Sequence, residues 1–136
     1  MSSENPFDNM TVISTVTRQD LIDMGDMVIV PDALRKEAGF KFEIGVTNNL
    51  WESAIALRGN DEENGQSIDG RIWDMLTMAK YAIRRQSDST NRAYAEMIVQ
   101  RFEGGKSVMR TIEFIAHIGP GDDGAPVFTF MLPIDD

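Results

Sequence analysis

Two adjacent aspartates, Asp122 and Asp123, lie in the stretch GPGDDGAP near the end of a 136-residue sequence. Their carboxylate oxygens are suitable ligands for Ca²⁺ or Mg²⁺, so a metal site is one hypothesis. A calcium loop, however, spreads alternating oxygen ligands over about a dozen residues and closes with a bidentate glutamate. Glycine and proline beside aspartate are typical of a tight turn, because proline presets φ, glycine permits positive φ and aspartate binds neighbouring amides. We therefore predict a turn here.

Two further motifs contain only part of a known site. The stretch GGKS, Gly104 to Ser107, matches the end of a phosphate-binding loop, but Gln100 stands where that motif requires glycine and a strand pattern follows. His117 is the only histidine and cysteine is absent, which excludes zinc sites built on two histidines or on cysteines. No nucleophile-elbow motif accompanies His117 as a catalytic base. We predict no catalytic residue, metal ligand or cofactor site, and a protein that is not an enzyme.

Acidic residues are concentrated in the first half of the chain. The formal net charge is -9, and up to Gly70 there are 13 acidic and 5 basic residues. This charge repels phosphates, so it disfavours direct contact with nucleic acid. It is explained either by solubility alone or by an acidic face that meets a basic protein surface. The densest run, Asp61, Glu62 and Glu63, is the candidate partner-binding loop. The alternative is a loop that is simply solvated.

The first half of the chain predicts short helices and strands. Thr17 and Asp20 have the spacing of a capping box, and Gly25 can end that helix in the left-handed conformation. Residues 27–30 predict a short strand, and Pro31 favours the start of a second helix. These elements precede the longer ones of the chain.

The middle of the chain predicts a strand and two helices. Phe40 to Val46 alternates apolar and polar residues at period two, which indicates a strand with one buried face. Thr47 or Asn48 can cap the next helix, whose apolar stripe extends to Leu57. The longest helix is predicted from about Ser67 to Arg85, with apolar residues at helical spacing.

The last third predicts three consecutive strands. Residues 93–102 and 106–118 precede a third alternating stretch at 127–132. Gly104-Gly105 is typical of a two-residue hairpin turn that places Glu103 opposite Lys106. The expected result is an antiparallel meander against which the long helix can pack.

Together these patterns predict an α+β fold: one domain over residues 11–136, with an antiparallel sheet, one long helix and shorter helices. A flexible N-terminus is expected over residues 1–10. No apolar run approaches the roughly 18 residues of a membrane span, and the start of the chain lacks the features of a signal peptide. We expect a cytoplasmic protein that does not contact a membrane.

Four stretches of the sequence carry a resemblance. They are VISTVTRQDLIDMGDMVIV, EAGFKFEIGVTNNLWESA, GRIWDMLTMAKYAIRR and HIGPGDDGAPVFTFMLP. They are similar to a family of small, acidic, uncharacterised proteins of bacterial plasmids and phages, and the C-terminal pattern GPGDDG-x-PV-x-T-x-MLP is the most specific part. The resemblance implies a genomic setting rather than a reaction.

Small acidic proteins of mobile elements are often inhibitors of host defence. The resemblance and the charge therefore favour a non-enzymatic protein of the anti-CRISPR or anti-restriction type. It would bind a host protein or ribonucleoprotein complex with a basic surface, and the modes of inhibition left open are acidic mimicry of nucleic acid, steric blocking and disassembly of the complex. Two alternatives stay open: a carboxylate-based metal-dependent enzyme that uses Asp122 and Asp123, and a homo-oligomer that pairs a free strand such as residues 127–132 with its copy.

Overall fold

The computed structural model describes residues 16–86 and 90–136. The flexible N-terminus expected over residues 1–10 lies outside them. Helices and one five-stranded sheet confirm the predicted α+β class. In chain order the elements are α1 (Arg18–Asp23), β1 (Met27–Ile29), α2 (Asp32–Glu37), β2 (Ile44–Thr47), α3 (Asn48–Leu50, continuing as a π-helical turn over Trp51–Ile55), a 3-10 turn (Glu62–Asn64), α4 (Ile68–Arg85), β3 (Arg92–Glu103), β4 (Lys106–Pro120), β5 (Pro126–Met131) and a second 3-10 turn (Pro133–Asp135).

The strands are arranged in the order β1-β2-β5-β4-β3. Strands β3, β4 and β5 are antiparallel neighbours, which confirms the C-terminal meander. The sheet is mostly antiparallel, as predicted, and it is mixed because β5 also pairs in parallel with β2. Residues 127–132, considered above as a possible free strand, do not form an edge, since β5 is the central strand and β1 and β3 are the edges.

The central position of β5 follows from its aromatic residues. The Phe128 ring lies 5.5 Å from Phe40 in an edge-to-face arrangement, and the Phe130 ring lies 5.8 Å from Phe114. Phe130 is fully buried. A strand between two others covers such rings from both sides, whereas an edge strand would leave them partly in water.

The long helix α4 packs against one face of the sheet. Ser67 accepts the Gly70 amide at 3.0 Å and caps the helix at its predicted start. The buried stripe of α4 joins strand residues in one hydrophobic core; its apolar members are Ile72, Met75, Leu76, Ala79 and Ala82. Neither α4 nor any other helix in the described residues is both long and apolar enough for a bilayer crossing.

Several local predictions are confirmed. Thr17 and Asp20 form the capping box of α1, and Thr47 caps α3 by accepting the Leu50 amide. Gly104-Gly105 turns the β3–β4 hairpin with φ values of 56° and 78°. These positive angles explain why the turn contains two glycines.

Two predicted elements are shorter in the structure. The strand expected from Phe40 begins at Ile44, because the Phe40 amide donates to the Arg35 carbonyl and closes the end of α2. The helix expected to reach Leu57 widens into a π-helical turn that ends at Ile55. In both cases a local backbone hydrogen bond replaces the extended or α-helical continuation.

The two faces of the sheet have different coverings. Because side chains alternate along a strand, Gly45 and Thr129 lie on the face opposite α4, which we call the outer face. There the side chain of Arg18, from α1, reaches β2 and β5, and its Nη1 donates to Thr129 Oγ1 at 2.8 Å. A Cβ atom at Gly45 would be 2.5 Å from the Arg18 guanidinium, so glycine is what lets this arginine lie on the sheet.

Candidate functional site

Asp61 lies at the centre of a buried cluster with two arginines. Its side chain is 1% exposed, and those of Arg71 and Arg101 are 3% and 7% exposed. Asp61 Oδ2 accepts hydrogen bonds from Arg71 Nη2 at 3.1 Å and from Arg101 Nη1 at 2.9 Å. The Arg58 amide donates to Oδ2 and the Phe102 amide to Oδ1, each at 2.9 Å. The carboxylate therefore has four hydrogen-bond donors, two of them charged.

These donors keep Asp61 ionised. Burial alone would raise its pKa, but the amides of Arg58 and Phe102 and the guanidinium groups of Arg101 and Arg71 outweigh burial. They hold the pKa of Asp61 well below its ordinary value. Since arginine stays protonated in proteins, the cluster of one acid and two arginines has a net charge of about +1.

The two arginines also bind backbone carbonyls from separate segments. Arg71 on α4 donates to the carbonyls of Ala56 and Gln100, each at 2.8 Å. Arg101 on β3 donates to Ala56 at 2.7 Å and to Ser53 at 3.0 Å. The cluster therefore fastens the end of α3 to α4 and to β3.

The same cluster covers one end of the β3 edge. Phe102 directs its amide and its carbonyl away from β4; Asp61 accepts from the amide, and the Asn60 amide donates to the carbonyl at 3.4 Å. Uncovered edge strands are prone to pair with other chains. The loop that contains Asp61 thus takes the place of a neighbouring strand at this point.

In the candidate partner-binding run, the structure buries the first residue and exposes the other two. Asp61 is fully buried, so its assignment to a docking surface is wrong: two arginines draw its carboxylate inward. Glu62 and Glu63 begin the following 3-10 turn and are exposed. They stay a prediction as partner-binding residues.

Asp122 caps α1 from the far end of the chain. Its Oδ1 accepts the Arg18 amide at 2.9 Å and its Oδ2 accepts the Gln19 amide at 3.0 Å. These amides belong to the first turn of α1, where backbone donors have no partner inside the helix. Asp123 Oδ1 accepts the Ala125 amide at 2.9 Å, which confirms the predicted turn.

His117 forms no hydrogen bond with Asp122 or Asp123, whose carboxylates accept from backbone amides instead. Within the described residues, no group of three or more His, Cys, Asp or Glu side chains is placed to hold a metal ion. His117 Nε2 lies 3.2 Å from Asn91 Nδ2. Burial, and then the charge of Arg92, lower the pKa of His117, so the ring is neutral at pH 7.

The outer face of β3 and β4 has exposed apolar and acidic side chains. Tyr94, Ile98 and Met109 are 69%, 60% and 62% exposed. Glu96 and Glu113 are exposed and lie directly opposite each other on the two strands. We call these five residues the outer acidic face. Like charges directly opposite each other destabilise a sheet, so the pair of glutamates is a local cost to the fold.

A groove runs along the edge of β3 next to the outer acidic face. The hairpin register directs the backbone groups of alternate residues away from β4, and Tyr94, Glu96 and Ile98 are in this set. The groove between this edge and α4 has a volume of about 290 Å³. Its lining residues are Asp74, Thr77, Met78, Glu96, Met97 and Ile98. Burial raises the pKa of Asp74.

Sequence reasoning did not select the outer acidic face. The signal is present in AYAEMIVQ, residues 93–100, where small and apolar residues at 93, 95, 97 and 99 alternate with Tyr94, Glu96 and Ile98. In a strand with one face in water, those alternate positions are usually polar. Tyr94 and Ile98, at positions that face water, are therefore the sequence signal for the outer acidic face.

Comparison with known proteins identifies the family of this chain but assigns no activity to it. Searches of curated proteins and of solved structures find no match to the chain. The model of a family described as a family of unknown function, DUF6573, matches residues 3–136. This match spans nearly the whole chain, and the protein belongs to the DUF6573 family.

Proposed function

We propose that this protein is a non-enzymatic binding protein of a bacterial plasmid or phage. It binds and inhibits a host defence complex, of the anti-CRISPR or anti-restriction type, at a basic surface that otherwise contacts nucleic acid. The setting comes from the sequence resemblance. The observation that supports binding is the outer acidic face, where facing glutamates lie among exposed apolar side chains.

The chemistry of this face favours a basic partner. Glu96 and Glu113 repel each other in the free protein, and a lysine or arginine between them would convert that repulsion into attraction. Tyr94, Ile98 and Met109 supply the apolar contact area that charge alone lacks. Along the hairpin from Tyr94 to Glu113, no lysine or arginine stands at a position whose side chain lies on the outer face.

The charge of the whole protein acts in the same direction. A net charge of -9 steers the protein toward a basic groove and displaces counterions from it, as nucleic acid does. The contact would therefore weaken with salt and compete with DNA or RNA for the same surface.

Self-association through the same edge is less favourable. Pairing two copies antiparallel at the free part of β3 would place Glu96 of each copy next to Glu96 of the other. A basic partner has no such penalty, so we place the homo-oligomer second.

The experiment compares two charge reversals in the full-length protein. Glu96→Lys/Glu113→Lys alters the outer acidic face, and Glu62→Lys/Glu63→Lys makes the same change of charge on the other exposed acidic run. Each protein is expressed in hosts with and without a CRISPR–Cas or restriction system, and phage plating efficiency is measured. A partner captured at low salt is identified, purified and titrated with each variant.

Wild-type protein should raise plating efficiency only where the targeted system is present, in proportion to its amount. The reversal at Glu96 and Glu113 should weaken binding of the purified partner by roughly tenfold or more. Loss of binding in the Glu62 and Glu63 variant alone would move the site to that loop. No basic partner at low salt, or inhibition at far less than one molecule per complex, would overturn the proposal.

A further inference from the structure

A second surface of the protein is lined by positive charges and is a groove, in contrast to the outer acidic face. Between the end of α2, the last turns of α4 and the start of β5 lies a groove of about 240 Å³. Its apolar wall consists of Phe40, Phe42, Ile83 and Phe128. We call it the phenylalanine groove. Unlike the outer acidic face, it opens on the side of the sheet that α4 covers.

The wall of this groove is an extension of the hydrophobic core. Phe128 contacts Phe40 edge-to-face and lies 6.3 Å from Phe42, and Phe40 is 6.2 Å from the buried Phe130. Phe42 and Phe128 stay partly exposed. The groove therefore presents rigid aromatic surface, which loses little conformational freedom when a ligand covers it.

Cations surround the groove. Lys41, Lys80 and Arg84 line it, and Lys36 lines the adjoining hollow beside Phe40. None of these four takes part in the ion pairs formed within residues 16–86 and 90–136. Three such cations in one apolar groove, with Lys36 in the adjoining hollow, are a strong local departure from the net charge of -9.

One of these cations is held in place by the backbone. Lys80 Nζ donates to the Ala38 carbonyl at 2.7 Å, at the end of α2. A Cβ atom at Gly39 would approach Lys80 Nζ to 3.0 Å, and Gly39 has a φ of 91°. Glycine at this position therefore supports both the turn and the position of the ammonium group at the groove.

We infer that the phenylalanine groove binds an acidic segment of a partner protein, with one aromatic or large aliphatic side chain between aspartates or glutamates. The apolar side chain fills the groove, and the flanking carboxylates bind Lys41, Lys80 and Arg84. A nucleic-acid strand is less favourable here because its many phosphates meet the negative charge of the rest of the protein. This site does not depend on the function proposed above.

The probe is a fluorescein-labelled ten-residue peptide with one phenylalanine between acidic residues, titrated by fluorescence anisotropy into the full-length protein. Peptides with alanine for the phenylalanine, or glutamine for the glutamates, separate the two contributions. The protein variant is Lys80→Glu/Arg84→Glu. Its matched control is Lys106→Glu/Arg110→Glu, which makes the same change of charge on the β3–β4 hairpin.

The groove variant should weaken peptide binding by roughly tenfold or more, and the hairpin control should change it by less than about twofold. Because Lys80 also binds the Ala38 carbonyl, Arg84→Glu alone serves as a second variant that leaves this contact intact. It should weaken binding in the same direction, with circular dichroism unchanged.

Three results would overturn the inference. Equal weakening by the hairpin control would show non-specific attraction to charge. Tighter binding of a single-stranded oligonucleotide with the same number of charges would assign the groove to nucleic acid. Binding only of a peptide with the sequence of residues 2–10, SSENPFDNM, would assign it to this chain's own acidic segment around Phe7.

Discussion

The loops around Asp61 and Asp122 are similar in sequence and differ in their surroundings. Each places acidic residues between glycines, and each aspartate accepts two backbone amides. Asp61 is buried and contacts two guanidinium groups, whereas Asp122 is exposed and binds the first turn of α1. An acidic run in a loop is therefore not by itself a surface feature. Arginines elsewhere in the chain decide whether a carboxylate turns inward.

The largest effect is expected from removal of the buried acid. Asp61→Ala leaves Arg71 and Arg101 with uncompensated charges and the Phe102 amide without its acceptor. Breaking a buried ion pair in this way costs about 3–5 kcal/mol of unfolding free energy. Denaturant unfolding followed by circular dichroism measures the loss.

The control lies two residues further along. Glu63→Ala removes an exposed carboxylate from the same loop and should change the unfolding free energy by less than about 0.5 kcal/mol. If Asp61→Ala and Glu63→Ala lowered stability equally, the two acids would not differ as the structure indicates.

The second-largest effect is a pH dependence of the unfolding free energy that arises from Asp61. Its pKa is depressed in the folded protein, so its contribution to stability is present above the unfolded-state pKa of about 3.9 and is lost as the pH falls below it. The difference in unfolding free energy between wild type and Asp61→Asn should be constant above about pH 5 and shrink below about pH 4. A difference that grew on acidification would contradict the ionised state of Asp61.

The smallest effect is expected at the exposed aspartate. Asp122→Ala removes the cap from Arg18 and Gln19, and loss of a helix cap costs about 1 kcal/mol. Hydrogen exchange of those two amides should accelerate while amides of α4 keep their protection. Asp123→Ala, which loses only the local Ala125 contact, is the comparison and should leave α1 protected.

Much of the fold could be predicted because its signals are local. The capping box at Thr17, the cap at Ser67 and the glycine pair at the hairpin each depend on a few neighbouring residues. Those elements lie where the sequence places them. The place of β5 could not be predicted, because pairing with β2 depends on aromatic contacts between residues more than eighty positions apart.

The candidate site was harder to predict for the same reason. Asp61 has the local sequence of a solvated loop, and only the positions of Arg71 and Arg101 in space reveal that it is buried. The outer acidic face depends on which strand forms the edge and which side faces water. Charge counted along the chain does not contain that information.

The central position of β5 has a consequence for the order of folding. The β1–β2 pair and the β3–β4 hairpin are synthesised earlier, yet no continuous sheet can form until β5 joins them. During synthesis the strands that will flank β5 have unsatisfied edges, and such intermediates are prone to aggregate. With the middle strand arriving last and pairing over long sequence separations, folding should be slow for a protein of this size. The turn at Asp122 directly precedes β5, so the cap that Asp122 places on α1 also forms only after this last part of the sheet has been synthesised.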